Sequence, residues 1–244
     1  MAARFLRLFF HLLYHQFAFT YDWVSAAVSV GAWNDWVKAV IPELTASDLN
    51  RGLSLSKPEL TGGRLLEMGH GPGHLLLELA HQGYRVTGLD RSPQMGRRAR
   101  RLLTRSGFPD IPLIRGSSTA LPCPTGYFDA LVATFPAEYI ADPQTWREAR
   151  RVLKPGGRFV VLGGVRVGGN SPVRRFTRWL YEITGQAAAR GEEDMNDEIL
   201  ARLEQVIADI GFELKVENRL VKNSLLFIII AQTACSDDFS RSAR

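Results

Sequence analysis

The chain has 244 residues but only two cysteines, Cys123 and Cys235, and neither sits at a metal-binding or redox spacing. That argues against a zinc module or a disulfide framework and points to a reducing compartment. Long apolar runs are also missing. The longest charge-free stretch of the apolar N-terminus, Leu8 to Tyr21, has 14 residues, short of the ~20 that a bilayer-spanning helix needs. No A-x-A site follows it, which argues against a secretory signal. Arg4 and Arg7 occur with no acid before Asp22, so a targeting peptide or a membrane-surface helix stays open. There is no internal repeat, no low-complexity tract and no nucleic-acid-binding module. A dinucleotide fingerprint is lacking too: counting G-x-G-x-x-G from Gly69 puts His74 in the last place.

What the chain does have is an apolar run, Leu65, Leu66 and Met68, ending in Gly69, Gly71 and Gly73 and followed by the apolar stretch from Leu75 to Ala80. Strand, glycine turn and helix make the first βα unit of a doubly wound sheet, with a ligand expected at the carboxyl end of the strand. Glycine takes a positive φ in such a turn and lets backbone approach a ligand. The composition, 45% hydrophobic and 23% charged, suits one α/β domain with a full core. The net charge of +5 is mostly arginine. Arg91, Arg97, Arg98, Arg100, Arg101 and Arg105 fall in or beside one expected helix, and Arg174, Arg175 and Arg178 form a second group. Arg97 and Arg101, at i and i+4, share a face with Arg98 and Arg105, so a solvated helix face accounts for the first group.

With an acid two residues before the first glycine, Glu67-x-Gly69-x-Gly71-x-Gly73 resembles motif I of the class I S-adenosylmethionine-dependent methyltransferases. Further matches follow in order. Gly116-Ser117-Ser118-Thr119-Ala120-Leu121-Pro122 stands where the family has G-D-A-x-x-L-P, Phe128-Asp129-Ala130 matches F-D-x-V, and Arg151 to Gly157 matches R-x-L-K-P-G-G. Upstream, Tyr21, Asp22, Ser29, Gly31 and Trp36 are similar to the leader of the menaquinone and ubiquinone C-methyltransferases, with Ser25 in place of the usual asparagine. The resemblance covers about Tyr21 to Gln232. It implies an α/β, doubly wound, seven-stranded, mostly parallel sheet of Rossmann-like methyltransferase type, with an antiparallel last strand and an N-terminal helical lid. The expected division is a leader over 1–45, a cofactor-binding domain over 46–235 and a disordered tail over 236–244.

Along the chain, a helix is expected over Ala2 to Phe17 and strands over Arg64–Met68 and Tyr84–Asp90, with a helix over His74–His81 between them. A basic helix over Pro93–Arg105, strands over Ile111–Arg115 and Gly126–Phe135, a helix over Asp142–Lys154 and a strand over Arg158–Leu162 follow. Val173 to Thr184 reads as a possible helix, and Glu198 to Ile210 as an amphipathic one ended by Gly211. The strands Phe212–Leu220 and Leu225–Ala231, joined near Asn223, complete the sheet. The last run is apolar enough to be buried on both faces.

The resemblance implies S-adenosylmethionine as methyl donor, with Tyr21, Glu67, Gly69, His70, Gly71, Gly73, Asp90, Arg91, Met95, Ser117, Ser118 and Thr134 around it. Asp90 ends the second strand 17 residues after Gly73, where a carboxylate can accept both ribose hydroxyls of an adenosine. Glu67, or a water it holds, would meet the donor's ammonium group. Ser117 replaces an aspartate that usually receives the adenine amino group, and a hydroxyl can still accept that bond. His15, His70, Glu138, Tyr139 and Tyr181 are conceivable general bases, but none can be assigned as catalytic. His11 and His15 share a helical spacing without a third ligand, so no metal is expected. A small apolar or aromatic acceptor is the leading reading, in a cytoplasmic protein for which weak peripheral membrane association stays open. A nucleic-acid methyltransferase and a non-catalytic scaffold remain the alternatives.

Overall fold

The computed structural model describes residues 33–45, 62–136, 138–167, 205, 207 and 209–233. Expectations for Tyr21, His11, His15, Tyr181, Cys235, the N-terminal helix, the helix near Val173 and the tail lie outside the described residues, as does the side chain of Glu138.

Within them the chain runs α1 (Trp33–Lys38), α2 (Ile41–Thr45), β1 (Arg64–Met68), α3 (His74–His81), β2 (Arg85–Asp90), α4 (Pro93–Arg105) and β3 (Leu113–Arg115). It continues with β4 (Phe128–Thr134), a 3-10 turn (Glu138–Ala141), α5 (Pro143–Val152), β5 (Leu153–Val167), β6 (Phe212–Val221) and β7 (Ser224–Thr233). The seven strands lie in the order β3-β2-β1-β4-β5-β7-β6. The first five are parallel, while β7 runs antiparallel to both β5 and β6. The strand order reverses between β1 and β4, and a doubly wound sheet binds its ligands at the carboxyl ends beside such a switch.

Alternation along each strand divides the core in two. Leu65, Ala130, Val132, Val160 and Leu162 face one side, under α3 and α4 and under Trp36, Val40 and Leu44 of α1 and α2. Leu66, Met68, Leu131, Val161 and Ile229 face the other, against Trp146 and Ala149 of α5, with Ile207 in the same cluster. Helices α4 and α5 start alike. Each has a side-chain cap, Ser92 accepting from the Met95 amide and Asp142 from the Gln144 amide, with proline in the first turn. Proline suits that position because the amide it lacks has no partner there anyway.

Some boundaries differ from the sequence expectation. Strand β3 begins at Leu113, not Ile111, and α5 stops at Val152, two residues short of Lys154. Strand β5 is much longer than Arg158–Leu162: Leu153 pairs with Phe128, a register break follows, and Gly164 to Val167 pair with Phe227 to Ser224 of β7. The Pro155-Gly156-Gly157 stretch is therefore an irregularity inside the strand, with Gly156 at φ 75°. Among the described residues no helix is long and apolar enough to cross a membrane.

Candidate functional site

Strand β1 delivers the turn to the middle of the carboxyl edge. Gly69, Gly71 and Gly73 all have positive φ, 76°, 52° and 90°. At Gly73 there is a second constraint, since an added Cβ would stand 2.9 Å from that of Ala99, where the turn packs against α4. At Gly71 an added Cβ would meet nothing within 4 Å, so the backbone there borders open space, as a ligand cradle requires.

Both oxygens of the Asp90 carboxylate are oriented by backbone. The Gly71 amide donates to Oδ2 at 2.9 Å and the Ser92 amide to Oδ1 at 2.8 Å. A carboxylate has about four acceptor sites, so each oxygen keeps one for a ligand. The turn is further tied down by the amides of Gly69 and His70, both donating to the Leu89 carbonyl. His70 is buried, its Nδ1–H donating to the Gly71 carbonyl at 2.7 Å, and its ring lies where a Cβ on Gly88 would fall. Burial holds its pKa below 6.5, against the opposing pull of Asp90. His70 is thus neutral near pH 7 and packs under the turn against β2.

Glu67 is only 3% exposed. Its Oε2 has no hydrogen-bond partner, and the Leu76 amide nearby only partly favours the charged form. Burial, reinforced by the nearby Asp90 charge, pushes its pKa well above 4.5. A buried polar atom without a partner costs about 1–3 kcal/mol. Trp36 Nε1 is another buried side-chain atom without a hydrogen-bond partner, but of the two only Glu67 lies beside the glycine turn.

The opposite wall comes from the segment after β4. Tyr139 donates its hydroxyl to the Met68 carbonyl at 3.0 Å, and a Cβ added at Gly69 would stand 3.1 Å from that hydroxyl. Burial raises the Tyr139 pKa far beyond its ordinary value, with Glu67 and Asp90 adding to the effect, so the phenol stays a donor and is no general base near neutrality. Phe135 has φ 48°, which is uncommon for a bulky residue. Its ring packs 4.6 Å from that of Trp33 and 6.4 Å from that of Trp36, so α1 braces the carboxyl end of β4.

Residues 66–161, from β1 into β5, match the methyltransferase domain family. Over that stretch it resembles the class I methyltransferases. It is 30% identical over 177 residues to a demethylmenaquinone methyltransferase of Symbiobacterium thermophilum, covering 70% of this chain and 63% of that relative. A chloroplastic 2-methyl-6-phytyl-1,4-hydroquinone methyltransferase of Arabidopsis thaliana is 30% identical over 155 residues, 62% of this chain and 41% of that one. The chain therefore spans less than two thirds of the length of these curated relatives. A crystal structure of a Methanococcus maripaludis protein proposed to be an S-adenosylmethionine-dependent methyltransferase superposes with a TM-score of 0.61 at 21% identity, over 90% of this chain and 92% of that one. That likeness speaks for the fold.

In this methyltransferase domain the structure brings Glu67, Gly69, Gly71, Gly73 and Asp90 together at one edge, with Thr134 half-buried at the end of β4. Arg91 is exposed just past β2, and Met95 is buried in the first turn of α4. Ser117 bonds the Thr119 hydroxyl at 2.8 Å within its own turn. The Ser118 side chain is buried and meets Thr145 of α5 at 3.2 Å, so any contact it makes with a ligand is through its backbone.

Two methyltransferase signatures are scaffolding. Asp129 accepts from the Arg64 amide at 2.8 Å and pairs with Lys154 at 2.5 Å, joining three strands at their amino ends. Arg151 pairs with Glu148 and donates to the carbonyls of Leu121 and Cys123, clamping the loop before β4. Sequence reasoning missed the Ser92 amide on Asp90, although a Ser-Pro pair opening a helix is a readable signal. It also missed the Tyr139–Met68 bond, which joins residues 71 apart and leaves no local trace.

Proposed function

We propose that this protein transfers a methyl group from S-adenosylmethionine to a small apolar or aromatic acceptor. The observation that carries this reading is Glu67: a buried carboxyl oxygen with no partner, beside an open glycine turn and a backbone-held aspartate. Those residues fit the donor. Glu67 would take its ammonium group, Gly69 to Gly73 its backbone-facing edge, and the free acceptor sites of Asp90 its ribose hydroxyls. Arg91, Met95 and Ser117 would border the adenine, and by the leader resemblance Tyr21 would lie near the methionine end.

When bound, S-adenosylmethionine supplies a methyl on a sulfonium, an electrophile open to in-line displacement. The chain's task is therefore positioning and the exclusion of water. Thr134 and Phe135, at the carboxyl end of β4, would face the acceptor. Tyr139 fixes the following turn to β1, which sets the distance between acceptor and donor. The relatives named for quinone and phytyl-hydroquinone substrates favour an acceptor of that chemistry here. A cytoplasmic enzyme working at a membrane surface would meet it.

Calorimetry with S-adenosylmethionine tests the donor. Radiolabelled methyl transfer offered to a lipid extract and to total RNA in parallel tests the acceptor. Label entering the lipid fraction supports the proposal. Label entering RNA replaces it with a nucleic-acid methyltransferase, and absence of both binding and transfer leaves a scaffold.

A further inference from the structure

Helix α4 reads Pro93-Gln-Met-Gly-Arg-Arg-Ala-Arg-Arg-Leu-Leu-Thr-Arg105, five arginines and no acid. Like charges three or four residues apart repel on a helix surface, and Arg97, Arg101 and Arg105 repeat at that interval, all exposed. Helices carrying so many cations usually set acids among them; α4 has none in its own sequence. No salt bridge to an acid involves Arg91, Arg97, Arg100, Arg101, Arg105 or Arg115 among the described residues. Arg100 donates to the Pro109 carbonyl and Arg115 to the Arg91 carbonyl. Those bonds aim the guanidinium groups without neutralising them.

The arginines border a cavity. A groove of about 510 Å³ runs between α4 and the edge strand β3, with Arg97, Arg100, Arg101 and Arg115 at its sides and half-buried Leu113 and Ile114 also lining it. The acid that reaches it, Asp90, has each oxygen held by a backbone amide. Arg91 follows the carboxyl end of β2 and Arg115 ends β3, so the basic face reaches the rim of the site described above. No Phe, Tyr or Trp lines the groove, and its one aromatic ring, His70, is buried and tied to the Gly71 carbonyl. A single-stranded nucleic acid is usually gripped by stacking its bases on such side chains. Cations spread over roughly 12 Å of helix from Arg97 to Arg105, beside a shallow apolar lining, suit a plane of anionic headgroups instead.

We propose that the α4–β3 face docks this protein onto an anionic phospholipid surface, with Arg97 and Arg101 as its principal contacts. The docking stands on charge and shape. Its functional meaning rests on the reading above, because it would bring the rim of the donor site to the layer in which a lipid-soluble acceptor dissolves.

The test is co-sedimentation of the full chain with vesicles of phosphatidylcholine containing phosphatidylglycerol, against phosphatidylcholine alone. Wild type is expected to sediment with the anionic vesicles, to stay in solution with the neutral ones, and to be released by salt. The double variant Arg97→Gln/Arg101→Gln should partition roughly 30-fold less, from a typical contribution of a basic residue at such a surface. The charge-matched pair Arg147→Gln/Arg150→Gln on α5, across the sheet, should lose only a few-fold. Equal losses in the two variants, no loss in the first, or wild type left in solution at low salt would overturn the proposal. So would polyuridylate displacing the vesicles at matched phosphate, which would mark a nucleic-acid surface. Calorimetry with S-adenosylmethionine on each protein keeps the questions apart: binding should be equal in wild type and variants, and its absence in all would remove the donor reading while leaving the vesicle result to stand.

Discussion

At the scale of single residues, Glu67 and His70 oppose each other in pH. Glu67 has its folded pKa raised above 4.5 by burial. The folded state then holds a proton that the unfolded chain releases, and stability falls as pH rises from 4.5 toward the raised value. Glu67→Gln removes that penalty. In thermal unfolding without ligand, the variant should melt roughly 2–4 °C above wild type near pH 8, if the relief is about 1 kcal/mol, and level with it near pH 4. The same change should weaken S-adenosylmethionine binding about tenfold or more, because a charge-assisted bond is lost. Equal melting at both pH values would show that Oε2 is solvated. His70 slopes the other way. Its folded pKa lies below 6.5, so its contribution is complete above that value and is lost as pH falls through it. His70→Asn keeps a donor for the Gly71 carbonyl and should flatten the acid limb of the stability curve, checked by urea midpoints from neutral to mildly acid pH.

Elements come next, and the joint between α1 and β4 tests how strain is held. Phe135 in the left-handed region costs of order 1–3 kcal/mol, offset by its contacts with Trp33 and Trp36. Replacing it with alanine removes the ring and keeps the strain, whereas glycine removes both. Phe135→Gly should therefore be more stable than Phe135→Ala by about 1 kcal/mol, the reverse of the usual order, measured as the difference in urea unfolding free energies. How much of this was legible differs by element. β1, α3 and α4 keep the limits that their local pattern gives, because a glycine turn, a Ser-Pro cap and apolar periodicity are written in consecutive residues. β5 was read too short because Gly163-Gly164-Val165 has little strand preference of its own and is drawn out by pairing with β7. The site divides the same way. The glycines, Glu67 and Asp90 were readable as a motif, whereas the Phe135 backbone and the Tyr139 bond are set by contacts between distant segments.

For the whole molecule, what matters is how one face of the sheet is closed. Helices α3 and α4 cover β1, β2 and β3, while α1 and α2 join the same cluster beside β4, β5 and β7. Trp36, Val37, Val40, Ile41 and Leu44 are buried there. Arg219 of β6 also reaches back to the Ala39 carbonyl and the Glu43 carboxylate, and Lys222 pairs with Asp35. At about 1.5–3 kcal/mol for each large apolar side chain, these five residues contribute on the order of 10 kcal/mol, an upper figure because unfolded chains already bury some surface. A typical domain has only about 5–15 kcal/mol of net stability. Removing residues 1–45 should therefore abolish cooperative unfolding: the truncated chain should give a broad, shallow urea transition and bind a hydrophobic dye, even though every glycine and carboxylate of the site remains. A sharp transition in that chain, with S-adenosylmethionine still bound, would mean that the sheet closes this face without the leader, and the bracing of Phe135 would then serve the acceptor alone.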